Sequence, residues 1–156
     1  MPTVAEVTEY LEQWGIPVQT YVEDTPTAAT AAAAVGCSVG EIAKTLLFIV
    51  GGEPLVVVTA GDQKVKGSKL KGATGRTGKV RLPDAGEVAR HTGYRPGGVC
   101  PFLLPAELPV VVDTSLRRFA TVYPAAGDDH TAVPVTVEQL LELTGGGEVD
   151  ASDPLG

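Results

Sequence analysis

Two apolar, β-branched runs, Lys44–Val50 (KTLLFIV) and Leu55–Ala60 (LVVVTA), are joined by Gly51-Gly52-Glu53-Pro54. The pattern reads as a β-hairpin whose strands belong in an interior. Hydrophobic residues make up 44% of the 156-residue chain, enough to bury such a hairpin in a single domain. Aromatics are only 5%, so Ala, Val and Leu must fill the core.

The rest of the chain supplies elements to pack around that hairpin. Thr3 and Glu6 form a capping box before Val4, Val7, Leu11 and Trp14 at helical spacing, and Gly15 stops the helix. Ile16–Val22 reads as a strand with Pro17 near its start. Thr27 caps an alanine-rich helix ending at Gly36, and Ser38 with Glu41 opens a further helical turn. A short helix is expected near Lys66–Lys71, a strand at Val80–Leu82 and a helix over Asp84–Thr92 closed by Gly93. Val110–Asp113, Ala120–Tyr123 and, weakly, Thr131–Val135 read as strands. Thr136 and Gln139 cap a last helix to about Leu143. Short strands with helices interspersed irregularly predict a mixed α/β, α+β-like single domain. Its sheet is expected to be mixed and partly barrel-like, with flanking helices. Residues 1–145 form the expected domain, and 146–156 read as a flexible acidic tail.

Several classes of function fit poorly. No apolar run approaches the roughly 18–20 residues of a membrane span, and the N-terminus lacks a signal-peptide pattern, so a cytoplasmic setting is expected. Cys37 and Cys100 are too few for a disulfide framework and lack metal-ligand spacing. The net charge of −7 argues against a general DNA or RNA binder. The stretch GATGRTGK at Gly72–Lys79 has the wrong glycine spacing for a phosphate loop, with Val80 where Ser or Thr is needed. The one G-x-S-x-G string, Gly36–Gly40, follows an expected helix rather than a strand, so it does not read as a nucleophile elbow. His130, after Asp128-Asp129, could join a metal site but reads more simply as part of a solvated loop.

Three features carry chemistry. Lys44 enters a buried strand, where a lysine must snorkel, pair or work. The loop Gly93–Phe102 holds Gly97-Gly98 between Pro96 and Pro101; it is either an ordinary tight turn or a stiffened backbone that a ligand can approach. Seven of the twelve Lys and Arg residues, Lys64, Lys66 and Lys69 among them, fall between Gly61 and Leu82. They form either a solvated face or a local phosphate-contacting patch.

Ordered blocks of sequence then bring a family into view. Thr20–Asp24, Ala43-Lys44-Thr45-Leu46-Leu47, Thr92-Gly93-Tyr94 with Gly97-Gly98-Val99-Cys100-Pro101, Leu108–Asp113 and Phe119–Tyr123 occur in turn. In these blocks the chain resembles the YbaK/prolyl-tRNA synthetase-associated domain family of free-standing and inserted aminoacyl-tRNA editing domains. The resemblance spans about residues 1–145. Cys100 stands where that family usually has Ser. Ala125–His130 replaces a segment commonly reading S-x-G-K-R-G, and Ala132 stands at the acidic position that follows.

The resemblance implies an aminoacyl-tRNA deacylase that hydrolyses, in trans, the ester of a small mischarged amino acid, of the Cys- or Ala-tRNA(Pro) kind. Lys44 would stabilise developing negative charge. Tyr21, Thr45, Gly97, Gly98, Val99, Cys100, Pro101 and Gly127 would form the substrate site, and Lys64, Lys66 and Lys69 would meet tRNA phosphates. The implied partners are the aminoacyl-tRNA 3′ end and prolyl-tRNA synthetase, with no membrane, no DNA, no metal and no cofactor. The alternative is a non-catalytic module of the same fold that recognises aminoacyl-tRNA ends or a synthetase.

Overall fold

The computed structural model describes residues 2–155. In chain order the elements are α1 (Val4–Glu12), β1 (Gln19–Thr20), α2 (Ala28–Val35), β2 (Ala43–Val50), β3 (Glu53–Ala60), β4 (Gln63–Val65), α3 (Gly67–Thr74), β5 (Val80–Arg81) and α4 (Ala85–Thr92). They continue with β6 (Val110–Asp113), β7 (Thr131–Ala132), α5 (Val137–Thr144), β8 (Gly147–Val149) and β9 (Ser152–Pro154). Short 3-10 turns lie at Val39–Glu41 and Thr114–Arg118.

The hairpin is the centre of the molecule. β2 and β3 pair antiparallel from Ala43↔Ala60 to Val50↔Glu53. They lie within a mixed sheet of order β5-β2-β3-β6-β8, in which β6 and β8 run parallel to their neighbours. Side chains alternate across a strand, so Val56 and Val58 join one core while Leu55 and Val57 join another. The first core is covered by α1, α5 and the Tyr94–Phe102 segment, the second by Leu70 of α3. The uninterrupted apolar run of β3 is therefore what burial on both faces requires.

Local signals set the helix ends. Thr3 and Glu6 exchange capping bonds at α1, as do Asp84 and Glu87 at α4 and Thr136 and Gln139 at α5. Gly36, Gly93 and Gly145 close α2, α4 and α5 in the left-handed conformation. Helix α1 ends at Glu12, and Trp14 beyond it is exposed rather than on the apolar face.

Other expectations need correction. Pairing over Ile16–Val22 is confined to Gln19–Thr20, after Pro17. Ala120–Tyr123 is not a continuous strand. Val122 bridges Val135 and Tyr123 bridges Ile42, and Pro124 then lacks the N–H to extend the ladder. These bridges, with the β1–β7 ladder, carry the pairing past β2 in a partly barrel-like curl without closing a barrel.

The acidic stretch 146–156, expected to be flexible, has its described residues, 146–155, built into the fold. β8 pairs with β6, and β9 pairs with β4. Asp113 explains why this end is held. Its buried carboxylate accepts from the Ala151 amide at 2.8 Å, Ser152 Oγ at 2.7 Å, the Ser115 amide at 3.2 Å and Thr59 Oγ1 at 3.3 Å. Those four donors come from three places in the chain, so one side chain ties the C-terminal strands to the central sheet.

Candidate functional site

The outer edge of β2 is covered at both ends and open between them. At one end the Ala43 amide donates to the Tyr123 carbonyl at 3.1 Å. At the other, Ile49 and Val50 pair with β5, and the Gly51 amide donates to the Lys79 carbonyl at 2.9 Å. Alternate residues of a strand direct their N–H and C=O groups to the same side. The amides of Thr45 and Leu47 therefore point out of the edge in the same direction as those of Ala43 and Gly51.

A pocket of ≈ 290 Å³ occupies this gap. Its floor is Ala43–Leu46, and Thr25–Ala28 with Ala31 forms one wall. Gly97 and Val99 reach it from the glycine loop, and Tyr123, Ala125, Asp128, Thr131 and Ala132 complete it. The walls are mostly small because α2 brings alanines to the rim.

Lys44 is half-buried in this floor. Its Nζ donates to the Gln63 carbonyl at 2.6 Å. Burial holds its ammonium below the usual lysine range, with Asp62 pulling the other way. Asp62 is in turn gripped by both terminal nitrogens of Arg118, at 3.0 and 2.6 Å. An ammonium has three protons, so the bond to Gln63 leaves two for a ligand. Beside it, Thr45 Oγ1 is buried and has no hydrogen-bond partner among the described residues. A buried hydroxyl left unpaired costs about 1–3 kcal/mol, which a polar ligand atom would relieve.

The structure divides the residues expected to form the site. Lys44, Thr45, Gly97 and Val99 line the pocket. Tyr21 lies outside its lining: its hydroxyl donates to Gln19 Oε1 at 2.7 Å and its amide to the His130 carbonyl at 2.7 Å. Cys100 and Pro101 are buried beneath the glycine loop. The Cys100 thiol is 0% exposed and lies 3.7 Å from the Phe102 carbonyl; burial pushes its pKa up to about 11. That is the state of a packed thiol, not of an activated nucleophile. Gly98 and Gly127 act on each other. A Cβ at Gly98 would fall 2.9 Å from the Gly127 carbonyl oxygen and 3.3 Å from Asp128 Cα. Gly98 thus admits a neighbouring loop, whereas Gly97, at φ +85°, shapes the turn facing the pocket.

The basic segment is also divided. Lys69 Nζ bonds Asp153 at 3.0 Å, Asp150 at 3.1 Å and the Ser152 carbonyl at 2.8 Å. It is committed to the C-terminal strands. Lys64 is exposed on β4, directly after the Gln63 that holds Lys44, and Lys66 precedes α3.

Sequence reading missed Thr25, Ala31, Tyr123 and Asp128 because nothing local marks them. Asp24, Asp129 and His130 also converge, with ligand-type atoms within 4.8 Å of one another. His130 Nε2 faces Asp24 at 3.0 Å and Asp129 at 3.4 Å, and its Nδ1 lies 3.1 Å from the Glu23 carbonyl. These partners make an ion-pair clasp between two loops, although the same three groups are metal-ligating types.

Residues 22–143 match the family model described as the aminoacyl-tRNA editing domain. The chain belongs to the aminoacyl-tRNA editing domain family. The editing domain is 34% identical over 145 residues to the uncharacterized protein YwhH of Bacillus subtilis (strain 168), covering 91% of each chain. It is 31% identical over 88 residues to the proline–tRNA ligase of Lysinibacillus sphaericus (strain C3-41), covering 56% of this chain but only 15% of that enzyme. Among solved structures, a protein proposed to be a trans-editing enzyme for prolyl tRNA synthetase superposes with a TM-score of 0.87 at 30% identity, over 98% of both chains. No helix among the described residues is long and apolar enough to cross a membrane.

Proposed function

We propose that this editing domain is a trans-acting aminoacyl-tRNA deacylase that removes a small amino acid, cysteine or alanine, from mischarged tRNA of the proline type. The observation that carries this reading is the gap at the edge of β2, where Lys44 and Thr45 line a ≈ 290 Å³ pocket walled by Ala28, Ala31, Ala125 and Ala132, and the buried Thr45 hydroxyl has no partner among the described residues. That volume lies at the small end of ligand pockets, and the walls suit a short side chain. An aminoacyl ester is already activated, so positioning a water or the substrate's ribose hydroxyl can suffice. The ammonium of Lys44 would stabilise the charge that develops on the carbonyl oxygen. Backbone groups near Gly97 and Val99 would border the acyl group. Lys64 and Lys66 would contact phosphates of the tRNA, with prolyl-tRNA synthetase as the partner and the cytoplasm as the compartment.

Deacylation measured over a panel of aminoacyl-tRNAs tests the proposal. Faster release of cysteine or alanine than of proline from tRNA(Pro) is the expected result. Binding of aminoacyl-tRNA ends with no release above the spontaneous rate would instead make the chain a recognition module.

A further inference from the structure

The pocket contains one cationic and one anionic side chain, Lys44 and Asp128; its other polar side chains are neutral hydroxyls. Asp128 is held but not neutralised. The His130 amide donates to its Oδ1 at 2.9 Å, and Oδ2 has no hydrogen-bond partner among the described residues. The nearby imidazole interacts with it through charge but makes no direct contact, since His130 Nε2 faces Asp24 and Asp129 instead. The backbone of Asp128 is fixed by close packing, because Gly98 leaves room for Gly127 and Asp128 that a side chain would fill.

An aminoacyl ester offers two charges to such a pair. Its α-amino group is largely an ammonium near neutral pH, and its carbonyl oxygen becomes negative on attack. Resting on the deacylase reading above, we propose that Asp128 is the specificity-determining residue that binds the α-ammonium of the substrate, while Lys44 serves its carbonyl oxygen. The pocket then selects esters with a free α-amino group over α-hydroxyacyl and N-blocked esters. A charge-assisted hydrogen bond is about twice as strong as a neutral one, so this selection is expected to be about tenfold or more.

The test compares alanyl-tRNA with lactyl-tRNA, its α-hydroxy counterpart, in the native protein and in Asp128→Asn. Asn keeps the oxygen that accepts from the His130 amide, so the loop is retained. The native protein should show a kcat/KM ratio of alanyl to lactyl of about ten or more, and Asp128→Asn should bring that ratio toward one, chiefly through KM. In parallel, binding of the non-hydrolysable amides 3′-alanylamino- and 3′-lactylamino-adenosine is measured by calorimetry. Native discrimination between the two amides that is lost in Asp128→Asn supports the assignment even where no ester is cleaved, an outcome that would sink only the deacylase reading. Equal binding of the two amides by the native protein, or an unchanged ratio in Asp128→Asn, overturns the role of Asp128.

Discussion

Lys44 Nζ is bonded at 2.6 Å to the carbonyl of Gln63, the first residue of β4. The lysine is thereby fixed in the floor of the pocket by a group that cannot neutralise it. Lys44→Ala should lower deacylation by at least about tenfold while circular dichroism and the thermal midpoint stay close to native. A well-folded Lys44→Ala protein with normal turnover would show that the lysine merely snorkels.

Lys64 follows Gln63 in β4 and is exposed, whereas Lys69 is occupied by Asp150 and Asp153. Neutralising Lys64 and Lys66 should weaken tRNA binding and flatten its salt dependence, because fewer counterions are released. Hydrolysis of an aminoacyl-adenosine should barely change. Lys69→Ala should leave the salt slope nearly native and give a small drop in Tm instead. An unaltered salt slope in the double variant would return the segment to a solvated face.

Cys100 should be dispensable for chemistry. Burial of its thiol pushes the pKa up to about 11, so Cys100→Ser and Cys100→Ala should keep most activity, and mass spectrometry should find no acyl-enzyme. Gly98→Val should cripple turnover, through the loop bearing Asp128, since even a Cβ there meets the Gly127 carbonyl at 2.9 Å. A thioester trapped on Cys100 would establish covalent catalysis.

Asp113 should govern acid stability. Burial alone pushes its carboxyl up, but bonds from Ser115, Ser152 and the Ala151 amide outweigh that and hold it below its ordinary value. A depressed folded pKa contributes stability above the unfolded carboxylate value of about 3.9. That contribution is lost as pH falls through the lower folded value. Asp113→Ala should cost about 3 kcal/mol at neutral pH, since it strands several buried donors. Urea midpoints for native and Asp113→Asn proteins should differ most at neutral pH and converge toward pH 3. A constant difference across that range would show that the charge is immaterial.

Much of the fold was legible because its signals are local. Thr3 with Glu6, Asp84 with Glu87 and Thr136 with Gln139 cap helices within one turn, and a glycine in the left-handed conformation ends α2, α4 and α5. Each is an exchange between residues a few positions apart. Trp14 was misplaced because its burial depends on where α1 ends and on what packs there.

The sequence by itself determined the central hairpin, the helix caps and the family, since apolar runs, capping residues and ordered blocks are written along the chain. Only the tertiary structure decided which of these residues share a pocket. The gap at the edge of β2 exists because Tyr123 pairs at one end and β5 at the other. Asp128 reaches it because Gly98 and Gly127 pack together, and Lys69 is withdrawn from the basic segment because β9 returns to β4. Each outcome depends on pairing between distant segments, whose partners are chosen by packing rather than by local propensity.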